Sequence, residues 1–106
     1  MRLWIISIDL DGVLCKACPP EKYQQAEPIR ENINKINILH ELGHRIIVYT
    51  ARGWFQYDMT KNWLDKSGVK YSQLVMGKLY CHAFIDDLST DLDSLLKKLQ
   101  IEVSNK

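Results

Sequence analysis

The stretch LWIISIDLDGVL, residues 3–14, changes character in mid-course. Its first six residues form a nearly unbroken apolar run rich in β-branched side chains, as expected of a strand buried on both faces of a sheet. Asp9 and Asp11 then follow, one residue apart, and Gly12 permits a sharp exit from the strand. Such a strand delivers two carboxylates to one edge of a sheet. What that edge does depends on what the rest of the chain sends to meet it.

Moving outward, the chain alternates two periodicities. Residues 28–42 place Ile29, Ile33, Ile36 and Leu39 at helical spacing, with Pro28 suited to the first turn and Gly43 to the C-terminal cap. Residues 45–49 (RIIVY) read as a second buried strand, and residues 58–66 as a shorter helix with Met59, Trp63 and Leu64 inward. Residues 73–76 (QLVM) predict a third strand and residues 81–85 (CHAFI) a fourth, with Cys81 in the core. Residues 89–99 set Leu92, Leu95, Leu96 and Leu99 on one helical face, with Ser89 or Thr90 as N-cap.

Strand and helix in alternation predict right-handed crossovers and a parallel sheet, an α/β fold. Ligands of such sheets bind beyond the carboxyl ends of the strands. Asp9 follows the first strand, Thr50 the second, and Asp86 and Asp87 the fourth. Polar residues scattered over nearly the whole chain are thus expected at one edge.

Bulk properties narrow the function classes. The chain has 106 residues, 46% hydrophobic and 25% charged, which predicts one ordinary globular domain. A net charge of +1 carries no electrostatic footprint for nucleic acid or an anionic membrane. The apolar run at residues 3–8 is too short for a signal peptide or a membrane span, and the odd count of three cysteines argues against a secreted disulfide framework, so a cytoplasmic location is expected.

Clustered carboxylates repel unless a cation neutralises them, and short all-oxygen ligands favour Mg²⁺. Asp9, Asp11, Asp86 and Asp87 are therefore the candidate metal ligands. Thr50 adds a hydroxyl and Lys78, in MGKLY, an ammonium. Carboxylates, metal, hydroxyl and lysine together suit a phosphoryl group.

These segments (IDLDGVL, IIVYT, Lys78 and FIDD) resemble, in order and spacing, the four motifs of the haloacid dehalogenase-like (HAD) superfamily of phosphohydrolases. The resemblance spans residues 3 to about 99. It implies a single three-layer, Rossmann-like domain over residues 1–106 with a small parallel sheet. It implies Asp9 as nucleophile, forming an aspartyl-phosphate, and Asp11 as general acid and then base. Thr50 and Lys78 would bind the phosphoryl group. The metal would take a carboxylate oxygen of Asp9, the backbone carbonyl of Asp11, and a carboxylate of the 86–87 pair, with Asp87 the inner ligand. Asp91 reads equally as a support of that metal or as a helix-start acid complementing the dipole.

Family members often carry a cap domain. Here residues 12–27 and 52–57 are too few to hold one, so the domain is expected to be capless, with 12–27 a short flap. The resulting open site suits a bulky substrate, or a homo-oligomer that builds the missing wall. GHRIIVYTARG, the Trp63–Leu64 pair and the compact length further resemble small phosphatases of capsule and surface-polysaccharide biosynthesis. Leu79 stands where these carry a proline, and Leu88 where they carry a basic residue. A sugar phosphate is the implied substrate. A nucleotidase or nucleic-acid-end phosphatase, and a non-catalytic binding module of the same fold, are the alternatives.

Arg52, Trp54 and Phe55 follow Thr50, where two aromatics and a guanidinium could hold a sugar or base, or else pack on the flap; Tyr23 is a weaker candidate of the same kind. Cys15 and Cys18 have redox or half-zinc spacing, yet prolines follow them and no second ligand pair exists, so they read as flap residues. His40 and His44 read as structural or solvated.

Overall fold

The computed structural model describes residues 2–83 and 85–101. It is a small α/β domain: β1 (Ile5–Ile8), α1 (Arg30–Glu41), β2 (Arg45–Tyr49), α2 (Tyr57–Lys66), β3 (Gln73–Val75) and α3 (Leu92–Lys98), with 3-10 turns at Pro20–Gln25 and Trp54–Gln56. The three strands are parallel in the order β1-β2-β3, with Ile6 opposite Ile46, and Val48 flanked by Ile8 and Leu74.

Each crossover helix buries the face that its apolar spacing selects. Ile33, Ile36 and Leu39 of α1, and Trp63 and Leu64 of α2, meet Ile6, Ile46, Val48 and Leu74 in one core, joined by Leu95 and Leu96 of α3. Lys35 is buried among them. Its ammonium reaches Asp93 at 2.8 Å and Glu31 at 3.2 Å, so one cation ties α1 to α3. The hydrogen bond it donates to Asp93 is the main reason its pKa rises. Pro28 does not open the first turn of α1: it makes an isolated bridge with Cys15, and the helix starts at Arg30. His44 is buried and structural, its Nδ1 accepting the Trp4 backbone N–H at 3.0 Å where β1 begins.

The three-layer expectation is corrected among the described residues, where the helical core lies on one face of the sheet. Strands added in one direction by right-handed crossovers put α1 and α2 on the same side. The alternate side chains, Ile5, Ser7, Arg45, Ile47, Tyr49, Gln73 and Val75, point to the other face, and none is buried. Ile5 is 76% exposed, so β1 is not buried on both sides as its composition predicts.

A second correction explains the first. No strand forms over the described residues of 81–85; Phe84 lies outside the described set. Cys81 is exposed, not core, and Ile85 is 97% exposed. Beyond it the chain closes a local turn, with Leu88 N–H donating to Asp86 Oδ1 at 2.9 Å and Ser89 N–H to Asp86 O at 3.2 Å. A strand stepping back across β1 would have begun a second helical layer. A short apolar run becomes a strand only if an edge accepts it. α3 also starts later than expected: Asp91, not Ser89 or Thr90, is the N-cap, its Oδ1 accepting Ser94 N–H at 2.6 Å. That bond, the chief cause of the lowered Asp91 pKa, explains the residue without a metal.

Candidate active site

The chain leaves β1 through a knot of backbone hydrogen bonds. Leu10 O accepts from the amides of Val13, Leu14 and Cys15, and Gly12 N–H returns to Cys15 O at 2.8 Å. Gly12 has φ +87°, which only glycine adopts freely. Leu10, Leu14 and Cys15 are fully buried, anchoring the knot, while Asp9 and Asp11 stay half-buried at its rim. The Asp9 carboxylate accepts the Leu10 N–H at 2.8 Å, which fixes its direction.

The ends of β2 and β3 are stitched together beside it. Thr50 N–H donates to Val75 O at 3.0 Å, Lys78 N–H to Thr50 O at 2.9 Å, and Gly77 N–H to Arg52 O at 2.9 Å. Gly77 turns at φ +77°, and a Cβ there would meet the Trp54 indole nitrogen at 3.3 Å. Thr50 is fully buried, and its hydroxyl oxygen accepts the Arg52 N–H at 3.2 Å, leaving the hydroxyl hydrogen to donate. The half-buried Lys78 carries its ammonium 5.6 Å from the centre of the Tyr49 ring. Thr50, Lys78, Asp9 and Asp11 thus share the carboxyl edge of the sheet.

Of its two expected places, Arg52 takes the one packed on the flap. It is 4% exposed, and its guanidinium forks onto Asp11: Nη2 to Oδ1 at 2.7 Å and Nε to Oδ2 at 3.1 Å. Nη1 donates to Thr60 Oγ1 at 3.2 Å, and the Tyr23 ring lies 3.7 Å below the guanidinium carbon. The guanidinium faces inward, leaving exposed Trp54 and Phe55 as the outward residues of that loop; Trp54 stacks on Tyr57. Only the 41-residue separation of Asp11 and Arg52 hid the pair from sequence reasoning. Two opposite charges at the same ends of adjacent parallel strands were the available signal.

Residues 12–27 are a pinned flap. Lys16 N–H bonds Glu27 O at 2.9 Å, Ile29 N–H bonds Leu14 O at 2.8 Å, Asn32 donates to Val13 O at 2.8 Å, and the Trp63 indole donates to Ala26 O at 2.9 Å. Burial, with Asp11 beside it, pushes the Cys15 thiol up to about 12, so it remains an S–H donor, 3.5 Å from Asp11 Oδ1. A shallow cleft of about 210 Å³ lies between Gln24 of the flap and α2, where Met59, Asn62, Trp63 and Lys66 line it, and does not include the carboxylates.

The structure does not bring Asp86 and Asp87 to this edge. Both are exposed in the turn before α3, where the Leu88 amide and then the Asp87 side chain hold the Asp86 pKa down. Among the described residues, no three His, Cys, Asp or Glu side chains stand together as a metal site. As arranged, the Asp11 carboxylate is paired with Arg52, and the 86–87 pair lies in the turn before α3.

No protein-family profile and no curated protein sequence matches the chain. Solved structures do resemble it. A structural-genomics target from Vibrio cholerae aligns with a TM-score of 0.76 at 25% identity, over 93% of this chain and 94% of that one. A chain of the Pnkp1/Rnl/Hen1 complex aligns with a TM-score of 0.63 at 20% identity, over 92% of this chain and 35% of that one. The second likeness is one of fold. No helix among the described residues is long and apolar enough to cross a membrane.

Proposed function

We propose that this protein is a capless phosphohydrolase of HAD type that hydrolyses phosphate monoesters through an aspartyl-phosphate at Asp9. The observation that carries the reading is the stitching of Thr50 to Val75 and Lys78 at 3.0 and 2.9 Å, beside the strand end that presents Asp9 and Asp11. A nucleophile, a second carboxylate, a hydroxyl donor and an ammonium at one sheet edge are the groups that phosphoryl transfer needs.

Asp11, a carboxylate paired with Arg52 at rest, takes up a solvent proton as substrate binds. An Asp9 oxygen then attacks phosphorus, the bond to the ester oxygen breaks, and Asp11 gives that proton to the departing oxygen. Water then attacks the phosphoryl group, Asp11 takes a proton from it, and the bond to Asp9 breaks. Thr50 and Lys78 steady the phosphoryl oxygens. No step here runs through a metal. A Mg²⁺ requirement is a separate proposal, which needs the 86–87 pair to join Asp9.

The experiment is a panel of aryl, sugar and nucleoside phosphates and 5′- or 3′-phosphorylated oligonucleotides, each assayed with and without Mg²⁺. Hydrolysis of at least one class, abolished by Asp9→Asn, is expected, with sugar phosphates favoured. No release from any member would leave the fold as a binding module.

A further inference from the structure

Arg52 is buried, and its guanidinium makes four hydrogen bonds within the protein, two to Asp11, one to Thr60 and one to the Cys15 sulfur. We propose that Arg52 is a positioning residue that aims one oxygen of Asp11, Oδ2, at the leaving group, and that Tyr23 couples this aim to the flap. The inference rests on the phosphohydrolase reading and deepens it.

The geometry supplies the argument. The fork occupies one lone pair on each Asp11 oxygen, at 2.7 Å on Oδ1 and 3.1 Å on Oδ2. The Cys15 thiol faces Oδ1 at 3.5 Å. A carboxylate has about four lone-pair positions in all, so the side of Oδ2 not facing the fork is the one open to a transferred proton. A bidentate guanidinium fixes the carboxylate plane as well as its position, which a lysine ammonium cannot do.

The guanidinium is itself clamped from three sides. Thr60 of α2 takes Nη1 at 3.2 Å, the Cys15 sulfur lies 3.9 Å from Nη2, and the Tyr23 ring stacks at 3.7 Å. Tyr23 comes from the 3-10 turn Pro20–Gln25, and the Trp63–Ala26 bond pins the end of that segment to α2. Flap, helix and acid therefore form one connected unit, and displacing the flap would free the plane of Asp11.

The test compares kcat/KM for p-nitrophenyl phosphate, whose leaving group needs no proton, with that for an unactivated alkyl phosphate, whose leaving group does. Arg52→Lys is expected to lower the alkyl value by about a hundredfold, the scale of general acid catalysis, and the aryl value by no more than about fivefold. Asp11→Asn should show the same split, and Arg52→Lys added to it should change nothing further. Tyr23→Leu, which leaves the ion pair in place, should give the same split at smaller size, and stands alone if Arg52→Lys does not fold. Equal losses on both substrates, or an additive double variant, would overturn the positioning role while leaving the hydrolase intact. An inactive wild type would instead sink the parent reading.

Discussion

Arg52 Nη2 and Asp11 Oδ1 meet at 2.7 Å across 41 residues of sequence, joining the loop after β2 to the loop after β1. The Arg52 side chain is 1% exposed and that of Asp11 28%. Water reaches one partner only, so the pair lies between a surface ion pair and a buried one. Arg52→Met is therefore expected to cost about 2–3 kcal/mol in urea unfolding, below the ~3–5 kcal/mol of a fully buried broken pair, because the stranded Asp11 can rehydrate. Combining it with Asp11→Asn should recover part of that loss. Additive losses would contradict the coupling.

The cysteines should separate cleanly by reactivity. Cys15 is fully buried with its thiol pushed up to about 12, whereas Cys81 is exposed and Cys18 half-buried. Thiolate, not thiol, reacts with disulfide reagents. At pH 8 Cys81 should label first and Cys18 next, with Cys15 reacting only after denaturation. Mass spectrometry of the labelled peptides checks the order, and early modification of Cys15 would contradict its burial in the knot.

Much of this architecture was legible because burial leaves a periodic trace. RIIVY and the isoleucines of α1 are apolar in the patterns that β2 and α1 bury. The carboxyl-edge clustering of Asp9, Asp11, Thr50 and Lys78 follows from parallel strands. CHAFI was not legible in the same way: it is short and without period, and its fate depends on the edge of β1. Arg52 and Lys35 were missed as buried residues because a long cationic side chain reads as surface until its partners, Asp11 for one and Asp93 for the other, are placed. Asp91 has a local reason for its position that its spacing from Asp87 obscured.

Mg²⁺ tests the part of the site that this arrangement does not assemble. If the exposed Asp86–Asp87 turn supplies ligands alongside Asp9, replacing both by alanine should weaken Mg²⁺ binding by at least about tenfold in calorimetric titration, and chelation should abolish hydrolysis. Unchanged Mg²⁺ affinity in the double variant would remove the pair from the site.

The most direct measurement is chemical trapping of the intermediate. Asp11→Asn removes the base that activates water, so phosphoryl label from an aryl phosphate should accumulate on the enzyme. Borohydride cleavage followed by peptide mass spectrometry should locate it at Asp9, with none in the Asp9→Asn companion. Label at any other residue, or substrate turnover that survives Asp9→Asn, would contradict the account.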